Sequence, residues 1–307
     1  MARMKWLAAL SAWLLLGGGA SAEEARQSLD DAWWTGPMLA NSAHTMPQGH
    51  LLVESYLYDA VQGKTDSVNS LTYLLYGLTD RITLGLVPTG GTNFVGGAQG
   101  SSGFQIGDTQ LRLQYGLTAL DTERGIPDIA VALIETVPTG RHDRLSRASD
   151  GFGGGAYTTA VALYSQMVFW LPNGRLLRTR LNLQQGFSGH ADVRDISVYG
   201  TGAGFSGHAR TGASLSVDAS VEYSLTRRWV LAADVIYNHG DATRVGGLQS
   251  GAAWQWNSGT SDGWGFAPAI EYSWTPNLGV LVGARFLMKG HNSPASVTPA
   301  VAINYVL

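Results

Sequence analysis

The 307-residue chain sets 20 Lys and Arg against 23 Asp and Glu, a net charge of −3, which argues against a nucleic-acid partner, since that would demand a basic face. It has no cysteine, so neither a disulfide framework nor a thiolate metal site is available. Charged residues make up 14%, below the roughly 25% of soluble domains, and 40 glycines, 10 tryptophans and 12 tyrosines favour a barrel that a mean hydropathy of +0.00 would hide.

The chain opens with Arg3 and Lys5, runs apolar from Trp6 to Leu16, and reaches the small-x-small triplet Ala20-Ser21-Ala22. Residues 1–22 are therefore expected to be a secretory signal peptide cleaved after Ala22, and Glu23 is not the cysteine a lipid anchor would need. The apolar run is too short to cross about 30 Å of hydrocarbon as an anchor. Beyond it, no run approaches the roughly 20 apolar residues of a spanning helix, which leaves a soluble periplasmic protein or a barrel. Residues 23–49, with Trp33, Trp34, Pro37, Met38 and Met46, suit no strand. They are expected to form either a plug or gate inside the lumen or, the preferred reading, a periplasmic tail whose tryptophans pack at the membrane interface.

From residue 50 to 307 the pattern predicts a closed antiparallel transmembrane β-barrel of about twelve strands. Strands are expected near 50–58, 68–78, 81–88, 105–117, 128–137, 157–170, 175–186, 212–225, 229–239, 264–275, 278–289 and 296–307. Alternation is sharpest from Ser214 to Leu225, where Ser214, Ser216, Asp218, Ser220, Glu222 and Ser224 share one parity and Leu215, Val217, Ala219, Val221, Tyr223 and Leu225 the other. The first two strands are less clear, since Leu51 to Tyr58 and Asn69 to Tyr76 carry apolar residues on both faces.

A repeat decides where the apolar face points. Tyr76-Gly77-Leu78-Thr79, Tyr115-Gly116-Leu117-Thr118, Tyr223-Ser224-Leu225-Thr226 and Tyr272-Ser273-Trp274-Thr275 each close a strand before a short turn. Tyr115, Phe169, Tyr223, Tyr272 and Tyr305 all fall on the apolar parity, as expected for a girdle at a lipid–water interface. At the opposite end Val87-Pro88-Thr89-Gly90 and Val137-Pro138-Thr139-Gly140 open long loops, expected with others at 89–104, 138–156, 187–211 and 240–263. Short periplasmic turns, long external loops and an even strand count form one consistent set.

The stretches Trp33-Trp34-Thr35-Gly36-Pro37 through Gly49-His50, Tyr76 to Pro88, Glu135 to Leu145, Gly155 to Thr159, Leu171 to Leu183 and Glu222 to Tyr237 resemble a family of outer-membrane transporters named for the meta-pathway of phenol degradation. The resemblance implies an outer-membrane barrel associated with uptake of small aromatic or other hydrophobic compounds, and it carries over no catalytic or binding residue. The last strand, with Val301, Ile303, Tyr305 and Leu307 on one parity, is similar to those recognised by the barrel-assembly machinery, although many of those end in Phe.

Parity assigns Asp108, Gln110, Arg112 and Gln114 to the lumen, with Arg178, Arg180, Asn182 and Gln184 on another strand, and Asp218, Glu222, Asp234, Glu271 and Arg285 on later ones. Arg112, Arg178, Arg180, Asp218, Glu222, Asp234, Glu271 and Arg285 are the expected pore-lining set. They form either a selectivity zone or a paired network that fills the interior, because buried charges need partners in both cases. Tyr164, Leu281 and Leu287 are apolar residues of inward parity. No HExxH pair exists. His142 beside Asp143 is the best base for a barrel enzyme acting on lipid, yet a solvated loop histidine is the simpler reading. Gly259-Thr260-Ser261-Asp262-Gly263 matches Gly-x-Ser-x-Gly without the strand-to-helix turn a nucleophile needs. The leading expectation is a monomeric passive channel in the bacterial outer membrane for small hydrophobic or aromatic solutes, with no cofactor and no catalytic residue. A lipid-directed enzyme and a closed structural or adhesive barrel are the rivals.

Overall fold

The structure, a computed structural model, describes residues 26–307, so the expected signal peptide lies outside the described residues. In chain order the strands are β1 (Leu51–Gln62), β2 (Thr65–Thr79), β3 (Ile82–Val87), β4 (Thr89–Val95), β5 (Gln105–Ile106), β6 (Thr109–Thr118), β7 (Asp128–Val137), β8 (Thr158–Trp170), β9 (Leu176–Ser188), β10 (His190–Arg194), β11 (Phe205–Arg210), β12 (Ser214–Ser224), β13 (Trp229–Gly240), β14 (Arg244–Gln249), β15 (Ala252–Asn257), β16 (Ser261–Thr275), β17 (Leu278–Leu287) and β18 (Ser296–Val306). The helical elements among the described residues are two 3-10 turns, Leu29–Asp31 and Ala148–Asp150. No helix there is long and apolar enough to cross a membrane.

Twelve of the strands close an antiparallel ring in the order β1, β2, β3, β6, β7, β8, β9, β12, β13, β16, β17, β18 and back to β1. Closure is made by β1 against β18, with Leu52 opposite Val306 and Val61 opposite Val297. A closed ring satisfies every backbone donor and acceptor between strands, which hydrocarbon demands. The side chains follow the pleat: Leu113, Leu133, Leu163, Leu181, Val235 and Val282 point outward and are exposed, whereas Ala132, Tyr164, Arg180, Glu222, Asp234 and Leu281 point inward and are buried. A soluble sandwich would have buried the first set. Here they form a lipid-facing band, bounded below by Tyr76, Tyr115, Phe169, Trp229, Trp274 and Tyr305.

Pro88 divides one long strand into β3 and β4. Lacking an N–H, it ends the ladder that β3 forms with β6, while β4 continues along the outer half of β2, from Leu71 opposite Thr89 to Thr65 opposite Val95. The β1–β2 hairpin is longer than the sequence pattern suggests and turns tightly at Gly63, whose φ of +62° suits glycine. Its tip carries Asp59, Gln62, Lys64 and Asp66. Above the membrane both faces of a strand meet water, so alternation disappears there while pairing persists.

The largest departure from expectation lies in the segments 187–211 and 240–263, read as loops. They contain β10, β11, β14 and β15, a four-stranded sheet beyond the membrane. Its inner face, with Ala191, Val193, Phe205, Ala209 and Val245, packs on Ala156, Tyr199 and Trp254 and roofs the barrel. Each strand has only five or six residues and adjoins or contains glycine, too short a run for period two to stand out. The loop between β7 and β8 is pinned beneath this roof. Asp108 accepts from Gly140 N (2.9 Å) and Gly154 N (2.7 Å), and Asp150 accepts from Ser102 N (2.7 Å) and Oγ (2.9 Å). The bond from the Ser102 backbone holds the Asp150 carboxyl below the usual carboxylate range.

Candidate functional site

The interior of the barrel is occupied by the chain's own N-terminal segment, which enters from the periplasmic end and returns to it before β1. Gln27 reaches Ser224 Oγ (2.8 Å), and Trp33 N donates to Arg227 O (3.0 Å) at the rim. Thr35 N (2.7 Å), Thr35 Oγ1 (2.9 Å) and Gly36 N (3.2 Å) all donate to Glu271 Oε2. Met38 N and Ala40 N donate to the two oxygens of Asp234, each at 3.1 Å. Arg180 Nη1 donates to Ala40 O (2.7 Å), Asn182 to Asn41 O (3.1 Å), and Gln114 to Ser42 O (3.1 Å) and Ala43 O (3.2 Å). The segment leaves past Asp80, where Thr45 Oγ1 donates to the backbone oxygen (2.6 Å), and past Thr83, whose Oγ1 accepts from Met46 N (2.8 Å).

This pattern has a simple cause. Residues 35–43 form neither helix nor strand, so their backbone groups have no partners of their own, and in a barrel interior only wall side chains can supply them. Carboxylates accept from the N–H groups, and arginine, asparagine and glutamine donate to the carbonyls. Glycines make room on the wall: a Cβ at Gly77 would lie 2.0 Å from Pro47 O, and one at Gly279 would lie 2.2 Å from Thr35 Cγ2.

Five of the eight residues assigned to the pore gather in one group beside this segment. Arg178, Arg180, Glu222, Asp234 and Glu271 form one buried cluster across β9, β12, β13 and β16. Arg178 makes a fork-on-fork pair with Glu222, through Nε at 2.6 Å and through Nη2, and its guanidinium lies 4.6 Å from the ring of Trp34. Arg180 Nε stands 3.4 Å from Glu222 Oε2. Arg112 lies on another part of the wall, donating to Asn41 Oδ1 (2.9 Å) and Tyr164 Oη (2.7 Å). Asp218 is buried nearer the outer end of β12, and its Oδ1 has no hydrogen-bond partner among the described residues. Arg285 stands apart on β17, within 3.4 Å of Thr298 Oγ1. Trp34 thus stacks on Arg178 inside the rim, while Trp33 lies under Arg227 and Arg228, each 5.7 Å from its ring.

Space remains on the side opposite the charge cluster. Between the N-terminal segment and the wall of β1, β2, β17 and β18 lies a cavity of about 180 Å³, lined by Met38, Leu39, Tyr56, Tyr58, Tyr73 and Arg285, with Leu71, Thr298 and Ala300. Tyr56 and Tyr73 meet edge to face, ring centres 6.2 Å apart. Sequence reasoning left these tyrosines out of the site. The available signal was the apolar content of both faces of β1 and β2, which marks where the inner wall turns greasy.

The residues weighed for catalysis do not assemble. His142 Nε2 bonds to Asp192 O (2.8 Å) and stands 3.9 Å from Asp143. Ser261 opens β16 from a strand-to-strand connection, without the turn that would expose a nucleophile. No group of three or more His, Asp or Glu among the described residues is placed to hold a metal ion.

No curated protein matches the chain. Among solved structures it is similar to the COG4313 outer membrane channel from Pseudomonas putida F1, at 15% identity, covering 88% of this chain and 100% of that one with a TM-score of 0.65. Looser likenesses are to the NanC porin (9% identity, 82% and 98% covered, TM-score 0.46) and the KdgM porin (10%, 82% and 98%, 0.45). The first of these shows the same outer-membrane barrel fold. A family model described as "Putative MetA-pathway of phenol degradation" matches residues 36–296, most of the chain, and the protein belongs to that family.

Proposed function

We propose that the protein is a passive outer-membrane channel for small aromatic or hydrophobic solutes, in which residues 26–49 act as a plug that narrows the lumen to a single side path. The observation that carries this is the cavity beside Met38 and Leu39. Its 180 Å³ is close to the roughly 150 Å³ at which an apolar protein cavity accommodates benzene. Three tyrosine rings supply flat apolar walls, and their hydroxyls, with Arg285 and Thr298, supply polar partners for a solute bearing one hydroxyl or carboxylate. The family's connection with phenol degradation favours the same solute class, and the channel among the similar structures favours passage through the barrel.

On this reading the pore-lining charges divide their work. Arg178, Arg180, Glu222, Asp234 and Glu271, joined by Arg112, hold the plug, while Arg285 faces the path and Asp218 lies on the wall above the seat. Pairing of the buried charges keeps the desolvation penalty tolerable. No catalytic role is assigned to any residue. Outer-membrane lipid surrounds the barrel, and the terminal strand ending in Tyr305 and Leu307 fits recognition by the barrel-assembly machinery.

Liposome swelling tests the channel. Vesicles carrying the folded protein should admit phenol-sized aromatic solutes faster than protein-free vesicles and should discriminate against solutes much larger than the cavity. Equal rates with and without protein would leave the closed structural barrel as the correct reading.

A further inference from the structure

We propose that the outward face of the β10–β11–β14–β15 sheet binds the phosphorylated head groups of outer-leaflet lipid, with Arg210 and Arg244 as the phosphate ligands. The pairing order of this sheet repeats that of β9, β12, β13 and β16 below it, so it prolongs the barrel wall beyond the membrane. Its inner face is committed to the roof. Its outer face presents His190, His208, Arg210 and Arg244, all exposed.

Register places these groups side by side. Arg210 lies directly opposite Arg244, and His190 directly opposite Arg210, so three basic residues cross three strands in one row. Like charges in cross-strand positions destabilise a sheet. Among the described residues neither arginine forms an ion pair, although the chain as a whole is acidic at −3. The acidic neighbours are Asp192, opposite His208 on the same face, and Asp241 at the lower edge. Arg194 adds a further positive charge toward the tip. An arrangement of this kind is relieved by a multivalent anion, and the planar fork of arginine fits phosphate oxygens.

The height of the row identifies the source of the phosphate. Phe187 occupies the lipid-facing parity of β9, is 57% exposed, and lies three residues before His190, about 10 Å in extended chain. Tyr237 and Trp264, with ring centres 4.9 Å apart, add aromatic rings to the lipid-facing parity of β13 and β16 below it. Charged head groups begin just beyond such an aromatic level. A recess of roughly 340 Å³ joins Phe187 to Arg210, Arg244 and Asp241, and a second of roughly 490 Å³ joins His190, His208, Arg210 and Arg244 to Trp256. A free phosphate ion would use the arginines alone. A phosphorylated glycolipid would use them together with the apolar wall.

The test titrates the full-length protein, folded in detergent, with lipid A, with lipid A stripped of its phosphates, and with inorganic phosphate. Lipid A should bind, and the Arg210→Gln/Arg244→Gln variant should bind it about tenfold more weakly or worse while its heat-dependent gel shift still reports a closed barrel. Stripping the phosphates should weaken binding to the unaltered protein to a similar degree, and inorganic phosphate should bind far less tightly than the lipid. Unchanged affinity in the variant, unchanged affinity for the stripped lipid, or inorganic phosphate binding as tightly as lipid A would each overturn the proposal.

Discussion

Replacing both Asp234 and Glu271 with alanine should release residues 35–40 from the wall and raise conductance. The two carboxylates accept five hydrogen bonds from that stretch, four from backbone N–H groups and one from the Thr35 hydroxyl. A buried donor deprived of its acceptor costs about 1–3 kcal/mol, so the five together amount to about 5 kcal/mol even at the low end. Arg180 and Arg178 would lose nearby acidic partners but keep Glu222, so the barrel itself should still close. Single-channel recording in planar bilayers should show larger or more frequent openings than the unaltered protein. Because the chain contains no cysteine, a single Met38→Cys substitution reports the same event, and its reaction with a water-soluble maleimide should accelerate in the double-alanine background. Unchanged conductance together with unchanged labelling, in protein that migrates as a folded barrel, would refute the idea that these carboxylates seat the segment.

Further predictions concern the seat and its rim. Arg178→Leu leaves Glu222 fully buried without its bidentate partner and should lower stability by about 3–5 kcal/mol in urea unfolding, with Arg178→Leu/Glu222→Leu recovering much of the loss. Gly77→Ala drives a methyl group into the backbone of Pro47 and should cost about 1–3 kcal/mol, whereas Gly63→Asn at the exposed hairpin tip should cost well under half as much. His44, whose Nδ1 is 3.4 Å from Asp128, has its pKa raised by that hydrogen bond. The stabilisation is therefore complete below the unfolded value near 6.5 and fades as pH rises through the higher folded value. In urea unfolding, the stability lost on His44→Gln should be greater at pH 5 than at pH 9, and since the imidazole is largely exposed, the difference should be small; equal losses at the two pH values would refute the pairing.

The barrel wall was legible because its physics is repetitive. Ser214 to Leu225 states its two faces residue by residue, and the tyrosine ends of β2, β6, β12 and β16 fix which face meets lipid. The inward charges were legible by the same parity. What they do was not, because Arg178 or Glu271 looks the same whether it faces water or the backbone of residues 35–43. Period-two reasoning is silent about a segment with no period, and the Trp33-Trp34 pair fits an interfacial tail as well as a stack beneath Arg178 and Arg227. The outer sheet escaped notice for another reason. His190 to Arg194 does alternate, but five residues beside Gly189 carry too little pattern to separate a strand from a loop. The cavity tyrosines were hidden where β1 and β2 are apolar on both faces, an irregularity that marks a place where the lumen departs from the polar rule.

The central claim, that solutes pass beside the N-terminal segment through the tyrosine-walled cavity, is tested most directly by filling that cavity. Ala300 lines it from β18, on the inner parity shared with Thr298 and Ala302. In vesicles carrying the Ala300→Trp variant, entry of phenol-sized solutes should fall to the protein-free rate while the barrel remains folded. Entry as fast as in the unaltered protein would contradict the path.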